Sequence, residues 1–292
     1  MSALLVTPAR VSGSLLVIAG VLWGTGGLAG ALLQSTAGLA PVPVAAYRLL
    51  VGGVLATLVV ACLGQLRHLR GRAALVRLVV SGVLLAEFQA AYQVAVARIS
   101  VSLATLITIG CVPVFVALGS GIRERRWPVP RAAFAILGSL AGLALLSGAP
   151  AGVDGWRAFA GVVASLLAGA GFALLTLVTA RPLAGQHAIT CVGLLLGGVL
   201  LLPLGLTDGM SVPLSAPVLG LVIYLGAVPT AVAYGAYFLG LRHTHPTAAA
   251  LATMLEPLTA TVLAVVIAGE RLEVAGVAGA VLIAGALVVA PR

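Results

Sequence analysis

Apolar residues fill this chain in ten long blocks, and polar residues fall almost entirely in the gaps between them. The blocks cover roughly 11–33, 42–63, 75–97, 101–121, 131–148, 157–180, 188–206, 216–240, 246–268 and 274–290, each bounded by charged or Pro/Gly-rich breaks. Each is long enough for a helix through a hydrocarbon core of about 30 Å, with the fifth and tenth near the lower limit. The strict alternation of a membrane β-barrel strand is absent. Only a helix bonds all its backbone groups within one segment, as lipid requires. The pattern predicts an all-α integral membrane protein with ten transmembrane helices.

The pattern also repeats. Residues 49–55 read LLVGGVL and residues 194–200 read LLLGGVL, an offset of 145 in a chain of 292. Ala91 and Tyr92 align with Ala236 and Tyr237 at the same offset, Pro113 aligns with Pro257 at 144, and the Gly-rich fifth block matches the tenth at about 143. The expected organisation is one membrane domain of two five-helix repeats, residues 1–148 and 149–292. An odd number of spans per repeat forces the second copy to enter the membrane the other way up. Two inverted repeats related by an in-plane pseudo-two-fold axis are a common plan for secondary transporters. The GxxxG pairs Gly20/Gly24, Gly26/Gly30, Gly138/Gly142 and Gly193/Gly197 are read as close packing within the bundle, in a monomer or weak dimer.

Composition sharpens this reading. Hydrophobic residues make up 61% of the chain and charged residues 8%, against about a quarter charged in a soluble domain. The net charge of +9 does not imply nucleic acid, because the basic residues are spread through short loops. With the N-terminus in the cytoplasm, Arg10, Arg67, Arg70, Arg72, Arg77, Arg123, Arg125, Arg126, Arg131, Arg181, Arg242 and Arg292 fall inside, while Arg98, Arg157 and Arg271 fall outside. Twelve against three places both termini in the cytoplasm. Cys62, Cys111 and Cys191 lie in apolar blocks without ligand spacing and read as packing residues. His, Cys and acids never converge at metal-ligand spacing, so no metal and no cofactor is expected. Neither GxxxxGK[ST] nor a Ser/His/Asp pattern occurs, which argues against an ATPase or another enzyme.

Arg48, Glu87 and Glu256 fall well inside blocks, where an ionisable side chain costs about 2.5–3.5 kcal/mol on insertion scales. They should face a watery cavity or a partner. Glu256 sits near the middle of the ninth block, on a small-residue stripe with Thr253, Ala252, Thr259 and Ala260. Pro257 comes directly after it and removes a helix donor, which should free the Thr253 carbonyl and kink the helix beside the carboxylate. Pro113 is its counterpart in the first half, and matched helix interruptions point to a transporter site. Val112 stands where a second glutamate would be, so the carboxylate serves one half only. Glu87 and Gln89, with Tyr92 and its repeat mate Tyr237, are further cavity candidates; each tyrosine reads equally well as a core aromatic. Trp23, beside Gly24 and Gly26, is a candidate aromatic wall. Arg48 could capture a substrate carboxylate, and a structural pairing with a fixed acid such as Glu87 is favoured.

Taken in order, these residues resemble the EamA-type members of the drug/metabolite transporter superfamily. The matching features are Leu22-Trp23-Gly24-Thr25, Tyr47-Arg48-Leu49, Tyr92, Pro113, Glu256-Pro257 and Gly269-Glu270-Arg271. The resemblance covers essentially the whole chain. It implies ten helices in two inverted repeats, a multi-pass place in the bacterial inner membrane, and export of amino acids or related small metabolites. In the first half the acid of the corresponding ending, Glu124, comes two residues early, so no role is transferred to it. The expected partners are a small-molecule substrate, membrane lipid and, as a candidate coupling ion, protons. The alternative is proton-coupled multidrug efflux of lipophilic cations.

Overall fold

A computed structural model describes residues 8–99, 101–126, 129–147, 155–268 and 274–289. The first seven spans are single helices: α1 (Pro8–Ala37), α2 (Pro41–Cys62), α3 (Arg72–Arg98), α4 (Val101–Glu124), α5 (Pro130–Ser147), α6 (Gly155–Thr179) and α7 (Gln186–Thr207). The eighth span joins α8 (Ala216–Gly226) to α9 (Ala233–Gly240) through a π-helical stretch, Ala227–Val232. The ninth joins α10 (Pro246–Ala252) to α11 (Leu255–Ala268), and the tenth is α12 (Val274–Val289). Eight spans are long and apolar enough to cross a membrane; the fifth and tenth are shorter apolar helices. Three residues, 38–40, join the first span to the second. Gly64, with φ 66°, takes the left-handed conformation that ends the second span.

The protein is thus an all-helical membrane bundle built as two inverted repeats of five. The repeats interlock. The first span packs mainly against the eighth and ninth, and the sixth packs against the third and fourth, so each repeat lends its opening helix to the other. The second span lies along the seventh, and the fifth along the tenth. The recurring heptapeptide explains the centre. A side-chain carbon on Gly53 would overlap the Leu195 backbone, and one on Gly198 would overlap the Leu50 backbone. Gly53 and Gly198 are 145 apart, as are Leu50 and Leu195. A contact mirrored in this way marks a two-fold axis. Gly20 and Gly24 bring the first span onto Ala252, Leu255, Glu256 and Thr259 of the ninth, while Gly142 meets Gly279 between the fifth and tenth.

Ile122, Phe134, Leu137, Val266 and Val281 are exposed on the outer surface, as lipid contact requires. Trp156 and Phe159 stack at 5.4 Å where the sixth span begins, on the exposed surface next to Arg157. At one end of the bundle the fourth span meets the start of the ninth, with His245 Nε2 3.6 Å from the Glu124 carboxylate.

The proline expectation needs correction. The fourth span runs unbroken through Pro113. Only the ninth is interrupted, at Thr253 and Met254, a turn ahead of Pro257. The Thr253 carbonyl is not free there: it accepts the Glu256 amide at 3.0 Å. The two copies differ in length at this point. Thr108 and Thr253 are 145 apart but their prolines are 144 apart, so the ninth span is one residue short between threonine and proline. A helix turns about 100° per residue, so the deletion rotates the residues beyond it and brings Glu256 to a different side from Val112.

Candidate functional site

The interlocked halves enclose a cavity of about 500 Å³, its open mouth included. Five spans, drawn from both halves, give it polar groups: Arg48 from the second, Gln89 and Tyr92 from the third, Thr105 and Thr108 from the fourth, Tyr234 from the eighth, and Thr253 and Glu256 from the ninth. Trp23, Phe88, Ile109 and Phe172 supply apolar wall. Gln89, Thr108, Phe172, Tyr234 and Thr253 are buried, whereas Arg48, Tyr92, Thr105 and Glu256 are only partly so. The mouth therefore faces the end where the third span finishes and the fourth begins.

Below Glu256 an aromatic cluster closes the path. Trp23 lies 5.8 Å from Phe172 and 5.2 Å from Tyr234, both edge-on, and 5.1 Å from Tyr237. Phe238 continues the stack at 5.3 Å from Tyr237. Such edge-to-face contacts add about 0.5–1.5 kcal/mol each beyond burial.

The polar residues divide into held and free. Arg48 donates through Nε to Thr230 Oγ1 at 3.1 Å and through Nη2 to the Pro229 carbonyl at 3.5 Å. Both acceptors belong to the π-helical stretch, whose Thr230 hydroxyl also donates to the Leu225 carbonyl at 2.7 Å. A guanidinium has five donors, so Arg48 keeps others for a ligand. Tyr92 shares a 2.7 Å hydrogen bond with Thr105. Glu256 forms no side-chain hydrogen bond and no ion pair among the described residues.

Residues 11–148 and 159–290 each match the family described as the EamA-like transporter family. The chain belongs to this family. It is 32% identical over 282 residues to "Uncharacterized transporter YwfM" of Bacillus subtilis (strain 168), covering 94% of this chain and 93% of that protein. An "Uncharacterized transporter" of Clostridium kluyveri is 28% identical over 136 residues, covering 45% of this chain and 44% of the relative. A solved crystal structure superposes with a TM-score of 0.81 at 19% identity over 96% of each chain, a likeness of fold. This EamA-like chain is accordingly a membrane transporter of small molecules.

Of the residues singled out by sequence, the EamA-like cavity brings together Trp23, Arg48, Gln89, Tyr92, Thr253 and Glu256. Glu87 and Tyr237 do not line it. Tyr237 is fully buried and shares a 3.0 Å hydrogen bond with Thr176. Glu87 points into the seam between third and sixth spans, where its carboxylate covers Gly171. The expected Arg48–Glu87 pair is thus absent among the described residues, since each side chain is directed to a different helix. Gly269, Glu270 and Arg271 lie outside the described residues. Among the described residues no group of three or more His, Cys, Asp or Glu could hold a metal. Sequence reasoning missed Tyr234 and Thr108, yet the repeat held the signal. Tyr234 is 145 residues after Gln89, and Thr108 is 145 before Thr253. Phe88, Thr105, Ile109 and Phe172 carry no such mark.

Proposed function

We propose that this protein exports an amino acid, or a metabolite built like one, across the bacterial inner membrane by alternating access around the cavity. One observation carries the reading: an unpartnered carboxylate, Glu256, and a partly committed guanidinium, Arg48, share a single cavity. A zwitterion offers an ammonium for the first and a carboxylate for the second, and bidentate geometry suits arginine to the latter. The aromatic wall of Trp23, Phe88, Phe172 and Tyr234 suits an apolar or aromatic side chain. A lipophilic cation would find Glu256 and the rings attractive but Arg48 repulsive, so the multidrug reading is the weaker.

In this reading the repeats 1–148 and 149–292 exchange their opening helices, and the two groups so formed, the third, fourth and sixth spans against the first, eighth and ninth, rock about the contact between second and seventh spans. Both termini lie in the cytoplasm, and the cavity opens outward in the conformation described. The test is counterflow in proteoliposomes with radiolabelled phenylalanine, threonine and a lipophilic cation as separate probes. Saturable exchange of an amino acid is expected. Glu256→Gln should weaken it about ten- to hundredfold, the worth of a hydrogen bond to a charge, while inserting normally. Exchange of the cation alone would overturn the amino-acid reading.

A further inference from the structure

Glu87 is a membrane-embedded acid that the substrate cavity does not use. Its carboxylate rests on Gly171 of the sixth span, where any side-chain carbon would collide with it. Oε2 is buried and has no hydrogen-bond partner. No charged side chain of the third, fourth, sixth or seventh span pairs with it among the described residues. Along its own helix the titratable neighbour is Tyr92, bonded to Thr105; from the fourth span the neighbour is Cys111, packed on Gly169 two residues from Gly171. Arg157 and Arg181 stand at and just past the ends of the sixth span. Val83 and Val94 on the third span, and Leu167 and Leu174 on the sixth, flank the seam and are exposed on the lipid-facing surface.

We propose that Glu87 is a proton-carrying site in the third–sixth seam, separate from the substrate cavity, and that it couples transport to proton movement. A half-buried carboxylate at this depth, outside the substrate cavity and with no cation or hydrogen-bond donor among the described residues, would be an uncompensated charge in hydrocarbon. The neutral acid fits the seam, and the glycine leaves it room. The third and sixth spans move as one group, and where that movement carries their seam to water the acid gives up its proton. The residue therefore moves a proton at one carboxyl oxygen while Glu256 handles the substrate.

Two measurements test this on the full chain. The first uses lipid nanodiscs and a lipid-soluble carbodiimide, with peptide mapping by mass spectrometry in wild type and in Glu256→Gln. Only a protonated carboxyl reacts: its proton goes to one carbodiimide nitrogen and its oxygen to the central carbon, and the O-acylisourea rearranges to a stable N-acylurea. An adduct at Glu87 at neutral pH, fading as pH rises, is expected. A water-soluble carbodiimide should leave Glu87 unmodified. No adduct at any pH, or equal modification by the water-soluble reagent, overturns the proposal. The second imposes a pH gradient on proteoliposomes and tracks radiolabelled phenylalanine, and it rests on the transport reading above. Accumulation severalfold above equilibration is expected in wild type and in the exposed-site control Asp208→Asn, and its loss in Glu87→Gln. Equal accumulation by Glu87→Gln, or indifference of wild type to the gradient, overturns the coupling. Absence of any phenylalanine exchange counts against the amino-acid reading, and the labelling result then decides Glu87.

Discussion

Thr230 is a small residue with a large positional effect. Its hydroxyl fixes Nε of Arg48 at 3.1 Å and so decides which guanidinium edge faces the cavity. Thr230→Val keeps the shape and removes the acceptor. Interhelical hydrogen bonds in membrane proteins average about 0.6 kcal/mol, so melting of the purified protein should change little. Half-saturation in counterflow should rise severalfold, because Arg48 is then free to turn away. A large loss of stability with unchanged half-saturation would mean that Arg48 serves the fold and not the ligand. Tyr237→Phe should do the reverse, costing about 0.6 kcal/mol through its bond to Thr176 and sparing half-saturation. The polar half of the cavity is legible in sequence because a charge or amide in lipid needs a reason to be there. That reasoning says a residue avoids lipid but not which seam receives it, which is why sequence alone directs Glu87 to the cavity although it lies on Gly171. Phe88 and Phe172 are illegible for the opposite reason. An aromatic ring in an apolar helix is at home in lipid, core or cavity alike.

At the level of helices, the recurring heptapeptide states where the two halves touch. Between the second and seventh spans Gly53 and Gly198 are points of close backbone approach, with Leu195 and Leu50 pressed on them. Gly53→Ala and Gly198→Ala should each destabilise by about 1–3 kcal/mol, the usual cost of overpacking, seen as a lower melting temperature. Gly27→Ala, with open space around it, is the neutral comparison. The ninth span carries a second message in its length. Inserting one alanine after Met254 restores the five-residue spacing from Thr108 to Pro113 and should turn Glu256 about 100° out of the cavity. Insertion into membranes should survive and counterflow should fall to the level of Glu256→Gln. Counterflow at wild-type level would show that register there does not set the site. Sequence periodicity marks the ten spans well, because lipid imposes length and apolarity on each. It announces the break at Thr253 through Pro257 one turn on, but does not reveal the π-helical stretch at Ala227–Val232, which packs against the second and first spans.

For the whole molecule, sequence halves and spatial halves differ. Because the first span packs with the eighth and ninth, and the sixth with the third and fourth, neither five-helix repeat is a self-contained bundle. Co-expressed halves should therefore assemble where either alone fails, and motion must pass between interlocked groups. The cavity is closed beneath Glu256 by Trp23, Phe172, Tyr234 and Tyr237, and the fourth and ninth spans meet beyond them at Glu124 and His245. Its mouth lies toward Tyr92 and Thr105. With the proposed cytoplasmic termini, the arginine bias makes that end periplasmic. One labelling measurement checks mouth, plug and orientation together. In a chain whose three native cysteines are replaced, Thr105→Cys should react with a membrane-impermeant maleimide added to intact spheroplasts. Phe238→Cys, buried on the closed side, should not. A substrate that drives the alternate conformation should protect Thr105→Cys, and tags at either terminus should react only after the membrane is opened. Labelling of Thr105→Cys exclusively in inverted vesicles would reverse the orientation, and labelling of both positions from one side would replace alternating access with a channel.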